Sequence, residues 1–323
     1  MFERKIHFVC GLMAAALCAA APVSAAQWQP TKPVRIIVPI VGSTNDVLAR
    51  LVAPELGKAL GQPVIVENKG GAGGIIGTSE VVRSAPDGQT LLVGYNGPIS
   101  INPTLYRKLP YNPQKDLIPV TLAVMSPQFL AVNPKVPARN VGEFVALAKA
   151  KPLSYGSVSI GSASHLTMEM LKYAAHIDVT HVPYKGAPPA ITDLIGGQID
   201  AAFLVPGNIL QQAKDGQVRL IACTGAKRFP SQPDVPTMIE QGYPDFIATS
   251  WIGFFLPAGT PQPIVDCYNK EMARILKDPA VRARLEQIDF EVVANSSEEF
   301  AKWIRDDTER WGKVIKQAGV EPQ

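Results

Sequence analysis

A chain of 323 residues, 46% hydrophobic and 18% charged, has material for two domains of ordinary size, each with its own core. A formal net charge of +3 is close to neutral and gives no electrostatic reason to expect nucleic acid or an anionic membrane as partner. Beyond the N-terminus no apolar run approaches the roughly 18 residues that a membrane span requires.

At the N-terminus Arg4 and Lys5 precede an apolar stretch over 9–21, followed by Val23, Ser24, Ala25 and Ala26. This is the plan of a secretory signal peptide, residues 1–25, cut after Ala25 or Ala26. Its apolar core is short for an anchor and no stop-transfer charges follow. Removing it leaves 29 basic and 27 acidic residues, a net +2. Cys10 and Cys18 leave with it, and Leu17 directly before Cys18 makes a poor lipoprotein site. Cys223 and Cys267 remain in a compartment that permits a disulfide, but one falls in an expected strand and the other in an expected helix. They are read as two separate buried thiols.

The mature chain opens with a β-branched run at 34–38, a buried strand. A small polar loop and a helix follow, the helix with Val47, Leu48, Leu51, Val52 and Leu56 at helical spacing. A second strand at 63–67 leads to GGAGGIIG at 70–77, which opens a helix to about 84. Asp87-Gly88 is a turn before a third strand at 90–94, so the pattern is βαβαβ. Four prolines mark 102–119 as irregular chain. The apolar stretch 121–132 is strand-like and is where the chain leaves its first domain.

Alternation restarts with a helix near 141–150, a strand at 154–157, and SIGSASHL opening a helix to about 175. A strand at 179–183 runs through KGAPP into a helix ending at Gly196-Gly197. A strand at 201–204, a helix at 209–214 and a strand at 218–224 complete a second α/β unit. The extended segment 246–255 and a helix from PAGTP to about 276 follow. The last helix begins at a capping box, Ser296 with Glu299, and carries Phe300, Trp303, Ile304, Trp311 and Ile315 on one side, a core stripe, before Gly319 stops it.

Several chemistries fail on spacing. Counting from Gly71 and Gly73, the third glycine of a dinucleotide fingerprint should fall at 76, which is Ile76, and no phosphate loop is present. His165, His176 and His181 lack the four-residue spacing of a helical zinc site, so neither metal nor cofactor is expected. An exported serine hydrolase using Ser164 and His165, with Asp178 or Asp193 orienting the imidazole, is the rival reading. It lacks a GxSxG elbow, and adjacent residues seldom aim at each other. What recurs is a helix start built from small residues: Gly42 to Asn45, Gly161 to Ser164, and Lys185 to Ala187. Each follows a strand and offers unpaired N–H groups at the positive end of a helix dipole, an environment for a carboxylate. Three such turns in two α/β lobes would converge on one crevice.

The ordered blocks KPVRIIVP, LGQPVIVENKGGAGGIIG, APDGQTLL, LPYNPQKDL, SYGSVSIGSASHL, HVPYKGAPPAITDLIGGQID, DVPTMIEQGYPDF and SWIGFFLPAGTP resemble the Bug-type solute receptors of the tripartite tricarboxylate transporter family over nearly the whole mature chain. The resemblance implies a periplasmic-binding-protein type II fold, two α/β lobes with a ligand cleft between them. Residues 26–126 and 247–323 would form lobe 1, and 127–246 lobe 2. It implies a periplasmic monomer that closes on a small carboxylate for membrane transporter subunits or, alternatively, for a sensor kinase. The positions it points to are Val41, Gly42, Ser43, Thr44, Asn45 and Asp46, then Ser157, Gly161, Ser162, Ser164 and His165, then Tyr184, Lys185, Gly186 and Ala187, with Asp200 and Phe203 near the cleft floor. The first loop, PIVGSTND, departs from the family's Pro-Ala-Gly-Gly-like run by one residue and one glycine. That departure implies an altered preference, such as a longer or aromatic carboxylate. Asp46 would either face the cleft or bond the loop's own N–H groups.

Overall fold

Strand β1 (Val34–Val38) lies inside a six-stranded sheet, parallel to β2 (Val64–Asn68) on one side and β3 (Thr90–Tyr95) on the other, and its Val34, Ile36, Ile37 and Val38 are fully buried. This computed structural model describes residues 28–317, 319 and 320, so the expected signal peptide lies outside the described residues. Helix α1 (Thr44–Leu60) lays Leu48, Val52 and Leu56 on the sheet and ends at Gly61, whose φ of 67° is the left-handed conformation that releases a helix. A 3-10 turn, Ala72–Gly74, leads into α2 (Ile75–Val82). The segment expected to be irregular holds two short helices, α3 (Asn102–Leu105) and α4 (Pro113–Asp116). Each has proline in its first turn, where the missing N–H costs nothing.

The apolar stretch expected as one strand divides between two sheets. β4 (Leu117–Pro127) belongs to the first and β5 (Phe129–Val132) to the second. Gln128 is the step between them, and its N–H donates to Thr224 Oγ1 at 2.8 Å while Thr224 N–H returns to the Gln128 carbonyl at 2.9 Å. The outgoing and returning segments are therefore bonded to each other where the chain changes lobe.

After β5 the second lobe continues through α5 (Val141–Ala150), β6 (Ser154–Ser157), α6 (Ala163–Ala175), β7 (Thr180–Pro183), α7 (Ala187–Gly196), β8 (Ala201–Leu204), α8 (Pro206–Lys214) and β9 (Arg219–Cys223), which build the five-stranded second sheet and its helices. Its order is β7-β6-β8-β5-β9, with β6, β7 and β8 mutually parallel, so α6, α7 and α8 all start along one edge. β10 (Thr249–Pro257) then returns to the first sheet between β3 and β4, giving the order β11-β4-β10-β3-β1-β2. The closing elements are α9 (Gln262–Lys277), α10 (Pro279–Gln287), β11 (Glu291–Val292) and α11 (Ser297–Gln317). α10 and β11 had no sequence forecast: α10 buries only Val281 and Leu285, and β11 has two residues. The capping box of α11 is reciprocal, with Glu299 N–H donating to Ser296 Oγ at 3.2 Å and Ser296 N–H to Glu299 Oε2 at 2.9 Å.

Each sheet is covered on both faces, which is why its central strands carry continuous apolar runs. A further cluster crosses between lobes: Ile101 and Leu105 meet Ala163 and Leu166, backed by Trp311 and Ile315. Cys223 and Cys267 are separate buried thiols. Among the described residues no helix is long and apolar enough to cross a membrane.

Candidate functional site

Between the two sheets, past the C-terminal ends of β1, β3, β6 and β8, lies a cavity of about 80 Å3. Open α/β sheets present ligand crevices at this end because helix N-termini gather there. Ser43, Thr44 and Asn45 at the start of α1 form one wall, and Ser162, Ala163 and Ser164 at the start of α6 face them from the other lobe. Ala187 at the start of α7 and Val205 and Asn208 at the start of α8 complete the rim. Four helices thus point the positive ends of their dipoles at one space, while Pro188, Pro189 and Pro206 remove backbone N–H donors from the first turns of α7 and α8.

Among the described residues lining the cavity none carries a formal charge. The polar side chains divide into spent and unspent. Gln128 Nε2 donates to Thr167 Oγ1 at 2.8 Å, and Asn96 Oδ1 accepts from Trp251 N–H at 3.0 Å. Ser162 caps α6: its hydroxyl accepts from His165 N–H at 3.3 Å and donates to the Ser159 carbonyl at 2.7 Å. Ser164 Oγ accepts from Val158 N–H at 3.1 Å. By contrast, Asn45 is 6% exposed and its Nδ2 has no partner, and Ser43 Oγ is likewise buried and unpartnered. A buried unsatisfied donor costs about 1–3 kcal/mol, and these two belong to residues of the cavity wall. Ile40, Phe203, Trp251, Ile252 and Phe290 supply apolar walls.

Of the positions singled out in the sequence, Ser43, Thr44, Asn45, Ser162, Ser164, Ala187 and Phe203 meet at this cavity. The others lie off its wall, each for a local reason. Val41 is 62% exposed beyond the rim, and Gly42 makes the turn into α1 with φ 62°. Asp46 neither faces the cleft nor bonds the loop's N–H groups. It takes Arg50 Nε at 2.9 Å and Asn68 Nδ2 at 2.9 Å. Burial pushes the Asp46 carboxyl up, but those two bonds and the Arg50 charge outweigh it and hold it below its ordinary value. Ser157 lies behind the α6 turn, donating to the Ser159 carbonyl at 3.0 Å and bonded to His181 Nε2 at 2.7 Å. Gly161, with φ 71°, is a lobe-to-lobe contact, where a Cβ would overlap Leu105 Cδ2.

His165 is buried in a ring stack, its Nδ1 accepting from Gly161 N–H at 3.2 Å. Tyr184 donates to Asp193 Oδ2 at 2.6 Å, Lys185 points to solvent, and Gly186, φ 120°, carries the backbone into α7. Asp200 is not at the cleft floor: it precedes β8 while the cavity follows that strand, and it takes the N–H of Ser154 at 2.8 Å. The hydrolase reading fails on geometry as well. Among the described residues no hydrogen bond joins the Ser164 hydroxyl to the His165 imidazole, and Asp178 and Asp193 face Lys172 and Tyr184.

Several wall residues escaped sequence reasoning. Gln128 carries a signal, a lone amide inside an apolar run, and Pro206-Gly207-Asn208 is a fourth small-residue helix start after a strand. Trp251, Ile252 and Phe290 carry none, because they reach the cavity only through the return of β10 and the turn before β11.

Two α/β lobes joined by bonded crossovers, with helix starts from both facing one uncharged cavity, define a two-lobed solute-binding receptor. Residues 48–320 match the family model described as tripartite tricarboxylate transporter family receptor, a match that begins just after the atypical first loop. Protein BugT of Bordetella pertussis is 34% identical over 321 residues, covering 98% of each chain. Among solved structures, the R. palustris protein Rpa4515 with adipate has a TM-score of 0.87 at 33% identity, covering 91% of this chain and 99% of that one. MatC from Rhodopseudomonas palustris with bound malate has a TM-score of 0.82 at 33% identity, covering 88% and 99%. The chain belongs to the tripartite tricarboxylate transporter receptor family, whose members are periplasmic solute receptors and not enzymes.

Proposed function

We propose that the chain captures a small carboxylate with an apolar body by closing its two lobes over it, and hands it to the membrane subunits of a tripartite transporter. The observation that carries this reading is Asn45, a buried amide with an unpartnered Nδ2 on the wall of a cavity that holds no charged side chain and onto which four helix N-termini open. Neutral donors satisfy a carboxylate from several directions, and the apolar wall of Phe203, Trp251, Ile252 and Phe290 suits a hydrocarbon or aromatic body. The two structural relatives are described with adipate and malate, which are compact acids.

In this reading residues 26–126 with 247–323 move as one body and 127–246 as the other, as a monomer freed of its leader after Ala25 or Ala26. Thermal-shift screening with dicarboxylates of four to eight carbons, monocarboxylates, aromatic acids, amino acids, sugars and divalent cations tests it. Stabilisation by one or more acids is expected. Stabilisation by sugars or cations alone contradicts it.

A further inference from the structure

We infer that Gly207 controls how far the two lobes close, because its missing side chain is the space into which the other lobe fits. Gly207 sits in the first turn of α8, and its backbone faces lobe 1 across the cleft. A Cβ at this position would lie 2.9 Å from the carbonyl oxygen of Ile288 and 3.4 Å from Thr44 Cγ2. The first distance is well inside van der Waals contact, and the atom it meets is backbone, which cannot rotate aside. Thr44 belongs to the α1 wall of the cavity, Ile288 stands two residues before Phe290 in another wall, and Asn208 lines the same space from α8. On this seam Ser231 Oγ also donates to Asp289 Oδ1 at 2.7 Å. One added methyl group would therefore meet both lobe 1 elements that face α8.

Other glycines also meet the opposite lobe, but they cannot separate closure from folding. Gly161 abuts Leu105 with φ 71°, and Gly186 lies beside the Val41 carbonyl with φ 120°, so any side chain there strains its own backbone as well. Gly207 lies outside the left-handed region and within a helix, where alanine is favoured over glycine. Alanine at 207 is then compatible with lobe 2 and incompatible only with the lobes' closest approach. This inference rests on the reading of the chain as a receptor that closes, and its test needs no ligand.

The experiment places spin labels on the mature full chain through Val47→Cys in α1 and Thr192→Cys in α7, both exposed and in different lobes, while Cys223 and Cys267 are buried. Pulsed dipolar spectroscopy compares this protein with its Gly207→Ala and Gly207→Ser versions without added carboxylate. Both substitutions are expected to move the inter-lobe distance distribution outward by a few ångströms, with an unchanged or higher melting temperature. Superimposable distributions overturn the inference. A melting temperature that falls in both variants overturns it too, because the empty space would then be required inside the fold and not at the seam. Failure of every carboxylate to bind would refute the proposed ligand and leave this comparison intact.

Discussion

The imidazoles of His165 and His181 stack with ring centroids 4.1 Å apart and planes 15° from parallel, and Tyr155 extends the stack at 4.8 Å from His181. The stack lies directly behind the turn that presents Ser162 and Ser164 to the cavity. His165 Nδ1 accepts from Gly161 N–H and so fixes that turn in the neutral state of the ring.

Burial, with the charges of His181 and Lys172, pushes His165 down to about 3, and burial with the Lys172 charge pushes His181 down to about 4. The ordinary value in an unfolded chain is 6.5. Both folded values are depressed, so the unfolded state binds protons first as pH falls. The stability contributed by neutral rings is complete above about pH 6.5 and is lost progressively down to about pH 4 and then 3. Melting temperature should therefore fall across this window, and His181→Phe, which keeps a ring in the stack, should flatten the dependence. Parallel pH profiles for the two proteins would show that the stack does not control acid stability.

Asn45 gives the sharpest prediction at the cavity. A hydrogen bond to a charged ligand is worth about 1.5–3 kcal/mol, so Asn45→Ala should weaken carboxylate binding by roughly 10- to 100-fold, at 1.4 kcal/mol per factor of ten. Asn45→Asp, nearly isosteric but anionic, should abolish it. The apo melting temperature of Asn45→Ala should not fall, because the amide is unpartnered without ligand. Titration calorimetry and thermal melts read both effects. Unchanged affinity in the two variants would remove α1 from the binding wall.

Asp46, one residue away, should behave in the opposite way. Its ion pair with Arg50 is a partly exposed i,i+4 contact, worth under about 1 kcal/mol. Asp46→Ala should lower stability by that little and leave carboxylate affinity within about twofold. A tenfold loss of affinity would return Asp46 to the site.

Asp307 on α11 supports the cavity from below. It is 1% exposed, accepts from Trp251 Nε1 at 2.7 Å and pairs with Arg310. Asp307→Ala leaves the indole N–H and the guanidinium without their shared partner, at a cost of about 2–4 kcal/mol. Urea denaturation should show the midpoint falling with an unchanged slope. A midpoint within error of the wild type would mean the pair is dispensable.

Much of this architecture was legible because local signals agreed. The apolar runs of β1 and β8, the capping box at Ser296 and Glu299, and the Gly196-Gly197 pair that ends α7 each name their own element. The site was half legible. Ser43, Thr44, Asn45, Ser162, Ser164 and Ala187 belong to strand-to-helix turns, and such turns gather at one edge once the strands are parallel. Asp200 misled because the direction of β8, which decides which end meets the cleft, is a tertiary fact. Trp251 and Phe290 were invisible for the same reason. They enter through a strand inserted between β3 and β4 and through a turn after a helix too polar to announce itself.

The central prediction is a carboxylate held by neutral donors at the meeting of α1 and α6. Titration calorimetry of the mature chain with adipic acid, hexanoic acid and benzoic acid, each beside its methyl ester, tests this most directly. At least one acid is expected to bind with measurable heat while its ester, which has the same body without the charge, does not. An ester that binds as tightly as its acid, or heat only from uncharged or cationic compounds, would contradict it.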